Sequence, residues 1–402
     1  MAENKQNKRP NVPPLRFPEF TEPWKSSTIG ECCSSLEYGM NAAAKEFDGR
    51  NKYIRITDID ENTSTYSNQD VVSPSGVLED KYLVRENDIL FARTGASVGK
   101  TYHYDKTDGK LYFAGFLIRG GVLPCFNSKF VFFQTQLSRY KKWVTIMSAR
   151  SGQPGINSQE YESFNLFIPT RTEQNKIATF IELLDKRIAV QSKLIEQLQS
   201  LMGGIMVAHY NKCKKQVVQI KELGDYFTVM NLSKDNLTDE GNDCVLYGEL
   251  FTTYHCTISE IKSKTNLTTG LTFSQSNDLL FPSSTTVDAV SLIAPSAITV
   301  PNVVLGGDMF GLHINERYSN VYLAFLFNYI LKQRLAKYAQ GSTIIHLHFN
   351  DICNAKIEVP NLTDQLTFVE LSSKVQQKIA TEISMLANLQ ALKSYLLQQM
   401  FI

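Results

Sequence analysis

The segment Gly95-Ala96-Ser97-Val98-Gly99-Lys100-Thr101 follows an apolar run ending at Ala92 and invites comparison with a phosphate-binding loop. Such a loop needs four residues between its first glycine and the Gly-Lys pair, so that successive N–H groups wrap the phosphates and the lysine reaches the terminal ones. Here three intervene, and no apolar strand ends in an aspartate placed to hold magnesium. Nucleotide hydrolysis is set aside. What remains is a donor-rich loop, Arg93-Thr94-Gly95 through Lys100-Thr101, able to approach a phosphate backbone or a base edge, or else a plain turn carrying incidental charge.

Other chemistries leave weaker traces. A methyltransferase would show a glycine-rich cofactor loop after its first strand, and one acting on DNA amino groups an Asn/Asp-Pro-Pro-aromatic element; neither is present. The six histidines lie apart except His346 and His348, and no cysteine pair sits at zinc-ligand spacing. On an extended segment His346-x-His348 puts both rings on one face, a geometry open to a metal, to polar recognition or to burial in a core. No nucleophile-elbow sequence marks a Ser-His-Asp site. No cofactor, metal or catalytic site is assigned. Seven cysteines, an odd number without a C-x-x-C, point to a reducing compartment. Met1 to Pro14 is polar, and no stretch approaches the roughly 18 apolar residues of a membrane span, so a cytoplasmic protein with no membrane partner is expected.

Charge gives no global draw toward nucleic acid, since 41 basic side chains meet 40 acidic ones over 402 residues. Residues 1–169 carry 21 basic and 19 acidic groups, 170–216 carry 8 and 4, 217–361 carry 9 and 14, and 362–402 carry 3 and 3. The acidic third segment weighs against a free-standing duplex binder, because affinity rests largely on neutralising phosphates. Local clusters offset this: Arg139, Lys141 and Lys142 beside Trp143, then Arg150 with Gln153 and Asn157. Gln340, Ser342, Thr343, His346 and His348 occupy the equivalent place later in the chain.

"Equivalent" has a definite meaning, because the chain is an internal repeat. Ile168-Pro169 with Thr172-Glu173-Gln174 matches Val359-Pro360 with Thr363-Asp364-Gln365 at an offset of 191, and the register continues from Ile177 onto Phe368 to Ile205 onto Leu396. Upstream, Asn87-Asp88-Ile89-Leu90-Phe91 matches Asn277-Asp278-Leu279-Leu280-Phe281 at 190. Each copy is a globular part followed by a helix. From Ile177, the positions Ile181, Leu184, Ile188, Gln191, Ile195, Leu198, Met202 and Ile205 alternate steps of four and three, a heptad seam with one polar interruption. Thr172 is the expected N-cap, and Gly203-Gly204 a place for the helix to bend or fray. The second seam holds Phe368, Val375, Ile379, Leu386, Leu389 and Leu396. Two single-striped helices should pack on one another; the alternative is that each caps its own globular part.

The globular parts read as mixed α/β, rich in short strands: Tyr53–Ile56, Asp88–Ala92, Phe113–Ile118 and Asn165–Ile168, echoed by Val245–Tyr247, Asp278–Phe281, Val303–Leu305 and Lys356–Val359. Aromatic-rich helices are expected over 129–147 and 320–339. The fold class is an α+β domain in tandem duplication, each copy with its long helix, divided as 1–169, 170–212, 213–360 and 361–402.

Taken together, these motifs resemble the specificity (S) subunit of Type I restriction–modification enzymes. The resemblance spans essentially the whole chain. Its residues are Leu15-Arg16-Phe17-Pro18-Glu19-Phe20 with Trp24, Asn87 to Arg93 with Gly95 and Gly99-Lys100, and Ser151-Gly152-Gln153 with Ile156-Asn157. Phe167-Ile168-Pro169 with Glu173-Gln174 and Lys176-Ile177-Ala178, and the ending Leu392-Lys393 to Phe401, complete it. The resemblance implies a non-catalytic protein with two target-recognition domains, each reading half of a split double-stranded DNA sequence. Its helices would pack as an antiparallel coiled-coil spacer and dock modification (methyltransferase) subunits, usually two, through positions such as Ile177, Leu184, Ile188, Leu198, Val375, Ile379, Leu386 and Leu389. Those subunits would bring S-adenosylmethionine and adenine methylation, and restriction subunits ATP-driven translocation and cleavage.

Base discrimination would then fall to side chains suited to groove edges. Candidates in the first copy are Arg93, Thr94, Ser97, Lys100, Arg150 and Gln153; in the second, Ser283, Ser284, Thr285, Thr286, His346 and His348. The second copy departs from the first, with Pro282 to Asp288 in place of the Arg93–Lys100 loop and Gly341-Ser342-Thr343 in place of Ser-Gly-Gln. It is expected to read a different half-sequence. A helical-hairpin scaffold whose globular parts bind protein or glycan is the competing interpretation.

Overall fold

The computed structural model describes residues 11–149 and 152–402. The chain divides into two compact units, one running to Gln191 and resuming at Met385, the other spanning Ser192–Ser384.

In the first unit, the central strand Asp88–Ala92 is buried along its whole length. It lies between Leu117–Val122 and Thr101–His103 in a four-stranded antiparallel sheet completed by Cys33–Tyr38. Side chains alternate across a strand, so Ile89 and Phe91 enter a core with Phe130, Tyr140 and Tyr161, while Leu90 and Ala92 enter another with Ile54, Tyr102 and Phe113. Two apolar faces explain why the strand reads as a continuous apolar run.

The second unit repeats this plan. Asp278–Pro282 is the buried central strand, flanked by Met309–Ile314 and Ser296–Ile298 in a five-stranded sheet with Gly224–Thr228 and Thr257–Ile258 at its edges. Leu279 and Phe281 enter one core, Leu280 the other. The side pairing of Tyr53 with Tyr112 in parallel register has its counterpart in Val245 with Leu305.

Three expected elements are interrupted. The 113–118 strand is two, Leu111–Phe113 and Leu117–Val122, separated by a turn closed by Leu117 N–H donating to the Ala114 carbonyl at 2.8 Å. The helix over 129–147 breaks into Ser128–Gln134 and Ser138–Ser148. There the Gln134 amide is drawn into both hydrogen bonds of the Phe167 backbone, and the Thr135 hydroxyl into the Phe132 carbonyl and Thr101. The 320–339 helix widens into a π turn over Phe327–Leu331 after Asn320–Leu326.

The long helices run Arg171–Lys212 and Leu362–Met400, 42 and 39 residues. In the first unit Ile177, Ala178 and Ile181 share a core with Leu396, Leu397, Met400 and Phe401, and Asp185 pairs with Lys393 at 2.6 Å, so the helices are antiparallel there. In the second, Met202 and Met206 share a core with Phe368, with His209 and Phe368 rings 5.4 Å apart. Helix-on-helix packing and capping of the globular parts thus occur together. Of the seam positions, Ile177 is buried, and Leu184, Ile188, Leu198, Val375, Ile379, Leu386 and Leu389 are half-buried.

Thr170, not Thr172, caps the first helix, its hydroxyl accepting from Glu173 N–H. Gly203-Gly204 does not interrupt it. The helix continues through, because the missing side chain lets Gly203 lie against the Tyr329 ring, 3.0 Å from where a Cβ would stand. The repeated glutamine has a repeated task. Gln174 accepts from Asn127 N–H at 2.9 Å and donates to the Pro169 carbonyl at 2.9 Å; Gln365 does the same with Ser319 and Pro360, both at 2.8 Å.

Candidate nucleic-acid interface

In the first unit the Arg93–Lys100 loop leaves the buried end of the central strand. Left-handed Gly95 (φ 69) and Gly99 (φ 86) turn it, and Gly99 lies where a Cβ would come 2.5 Å from Val144. The loop and the segment around Gln153, over fifty residues apart in sequence, are joined here. Thr94 bridges to Gly155, Gly95 N–H donates to the Pro154 carbonyl at 3.0 Å, and Ile156 N–H to the Arg93 carbonyl at 2.9 Å. The Gln153 side chain is exposed beside Gly95.

Arg93 is held on three sides. Its guanidinium lies 4.9 Å over the Tyr38 ring, its Nη1 donates to the Gly115 carbonyl at 3.4 Å, and its N–H donates to the Phe116 carbonyl at 3.0 Å. The Tyr38 hydroxyl in turn accepts from Ser158 N–H at 3.1 Å. Burial of the ring pushes that phenol up, but the Ser158 donors and the Arg93 charge outweigh it and hold it below its usual value. Tyr38 and Phe116 remain 43% and 59% exposed, so an aromatic and a cation stand together at the loop.

The other candidates are placed less openly. Lys100 turns back toward its own domain, 3.7 Å from Glu61 and 3.5 Å from the Ile59 carbonyl. Ser97 ends the short turn Gly95–Ser97 and is half-buried. Arg139 packs 5.4 and 5.2 Å over Phe164 and Phe167, and burial lowers its pKa to about 10, so it is a packing residue. Lys141 and Lys142 are exposed. Asn157 caps Ser158–Glu162. Arg150 lies outside the described residues.

The second unit builds the same frame from other side chains. Ser283 N–H donates to the Asp308 carbonyl at 2.8 Å and Leu347 N–H to the Ser283 carbonyl at 2.9 Å, matching the Arg93–Phe116 and Ile156–Arg93 bonds. Ser284 and Thr285 pair with His346 and Ile345 as Thr94 does with Gly155. Ser283 and Ser284 are buried, Thr285 is half-buried, and Thr286, His346 and His348 are exposed. The histidine rings stack 6.1 Å apart in solvent; burial in the core falls instead to Leu347, which lies between them. Among the described residues no group of three or more metal-ligating side chains converges.

Sequence reasoning missed Tyr38, Phe116, Ser158 and Asp308. Each reaches the site through sheet register or a turn rather than through a motif of its own.

Two copies of one domain plan, each with a loop at the end of its central strand, define the class: a tandemly duplicated α+β protein in which each copy is followed by a long helix. Residues 21–200 match the family model of the Type I restriction modification DNA specificity domain. The chain is similar to the S subunit of a Type I restriction–modification system from M. genitalium, with 14% identity and a TM-score of 0.59 over 97% of this chain and 99% of that one. It is also similar to a chain from a structural study of complex assembly and conformational transition in the type I R-M system, with 16% identity and a TM-score of 0.52 over 95% and 99%. The first copy therefore resembles a Type I restriction–modification DNA specificity domain, and the chain as a whole shares its fold with the S subunit from M. genitalium. The family is one of DNA specificity, which does not favour the protein- or glycan-binding scaffold.

Proposed function

We propose that this chain is the non-catalytic, sequence-reading subunit of a Type I restriction–modification complex. Each unit reads one half of a split double-stranded target. The long helices space the readers and dock modification subunits, two in the expected assembly, with restriction subunits joining them; methylation and cleavage belong to those partners. One observation carries this best: the same strand-end frame recurs in both units, with Arg93 and Ser283 in corresponding hydrogen bonds but different side chains displayed around them. Two rigid frames with different displays suit two half-sites of different sequence.

The base-reading role falls on the exposed or re-orientable members, Arg93, Thr94, Gln153, Thr286, His346 and His348. Ser97, Lys100, Ser283, Ser284 and Thr285 support the loops. Co-expression with methyltransferase subunits encoded in the same genome, followed by mapping of methylated adenines, tests the proposal. Two short defined halves around an undefined spacer are expected. A complex that forms and methylates without any split motif would sink it.

A further inference from the structure

One position differs between the units in a way the shared frame makes informative. Arg93 N–H is received by the carbonyl of Phe116, and Ser283 N–H by that of Asp308. The sheet register confirms the correspondence one residue on, where Ala92 faces Leu117 and Pro282 faces Met309. Both side chains are displayed by fixed turns. Phe116 sits between Gly115, whose N–H donates to the Met40 carbonyl at 2.8 Å, and fully buried Leu117. Asp308 sits between Gly307, whose N–H donates to the Met230 carbonyl at 3.0 Å, and buried Met309.

Phe116 is 59% exposed, a large apolar surface next to Gly115, whose carbonyl accepts from the Arg93 guanidinium at 3.4 Å. Asp308 is exposed too, and its carboxylate has no hydrogen bond or ion pair among the described residues. A carboxylate facing DNA is repelled by phosphates, so it lowers affinity everywhere except where a base offers it a proton. It acts as a device for discrimination. In the major groove only the cytosine N4 and adenine N6 amino groups donate, and Asp pairs characteristically with cytosine; an aromatic side chain finds its partner in the C5 methyl of thymine.

We propose that this turn position sets base identity in each half-site, Phe116 packing on a thymine methyl and Asp308 accepting a hydrogen bond from N4 of a cytosine. This rests on the DNA-recognition function proposed above. Tyr38 is then a positioning residue, holding the Arg93 guanidinium beside Phe116.

Methylated-adenine maps of the assembled complex, made with the unaltered chain and with Phe116→Ala, Phe116→Leu and Asp308→Ala, test this. If the unaltered chain gives no split motif, the recognition function itself fails. If it gives one, a thymine is expected in one half and a cytosine in the other. Phe116→Ala should cut the thymine preference roughly 5- to 100-fold and leave the other half unchanged. Phe116→Leu should keep most of the preference, and Asp308→Ala should relax only the cytosine. Unchanged motifs in Phe116→Ala and Asp308→Ala would overturn the proposal. So would a loss of methylation in properly assembled variants with no change of motif. Should one alanine variant fail to fold, the other decides it alone.

Discussion

The two units solve the same problem with different materials. In the first, the helix start is locked by buried charge: Glu173, fully buried, receives Arg16 at 2.7 Å and Trp24 Nε1–H at 3.2 Å. At the corresponding place Asp364 is half-buried, caps locally with Asn361 and faces His209 and Cys213, with no ion pair to a guanidinium among the described residues. The loop after the central strand follows the same division, with Gly95 and Gly99 turning it in the first unit and a capping box from Asp288 to Ser291 turning it in the second. The backbone frame is thus conserved between copies where hydrogen bonds close it. Its side chains diverge where they face outward.

Glu173→Ala sharpens this contrast most. It strands a buried guanidinium and should cost about 3–5 kcal/mol, whereas Asp364→Ala should cost about 1 kcal/mol. Urea unfolding followed by tryptophan fluorescence isolates the first case, since Trp24 and Trp143 both lie in the first unit, and circular dichroism follows the second. Equal losses would erase the difference. Next in size, Gly99→Ala puts a side chain at positive φ against Val144 and should cost about 2 kcal/mol; Asp288→Ala, losing a cap, should cost about 1 kcal/mol.

Function gives a third contrast. Arg93→Ala should weaken DNA binding of the assembled complex about tenfold and lower the salt slope by about 1. Ser283→Ala, at a buried position, should change affinity less than about twofold, and Lys100→Ala should leave the slope unaltered because that charge already faces Glu61. A Lys100→Ala slope change equal to that of Arg93→Ala would return the lysine to the interface.

The smallest effect concerns pH. Burial pushes Asp88 up to about 6, against an ordinary value near 3.9. A raised carboxyl contributes stability that is full below about pH 4 and lost as pH rises through 6. Asp88→Asn should flatten the fluorescence-detected melting temperature of the first unit between pH 4 and 6, by about 2–4 °C. An unchanged pH slope would show that Asp88 ionises freely.

Much of this was legible in advance. The duplication, the heptad seams and the buried strands Asp88–Ala92 and Asp278–Pro282 all announce themselves by repetition or by unbroken apolar runs. The helix through Gly203-Gly204 was not legible, because its continuity depends on Tyr329 from another segment. The break at Thr135 escaped for the same reason: Gln134, the last residue of Ser128–Gln134, gives its side chain to the Phe167 backbone of another segment. At the candidate site, Arg93 and Gln153 were visible as polar residues in glycine-rich surroundings, but their partners Tyr38 and Phe116 were not.

Local and periodic information is written along the chain, so sequence alone determined the two-copy plan, the long helices and the loops worth watching. Which residues stand beside those loops was decided by strand register, since a shift of one residue reverses every side chain on a strand. Tertiary structure therefore chose Tyr38 as the platform for Arg93, turned Lys100 toward Glu61, and gave the same turn position to Phe116 in one copy and Asp308 in the other.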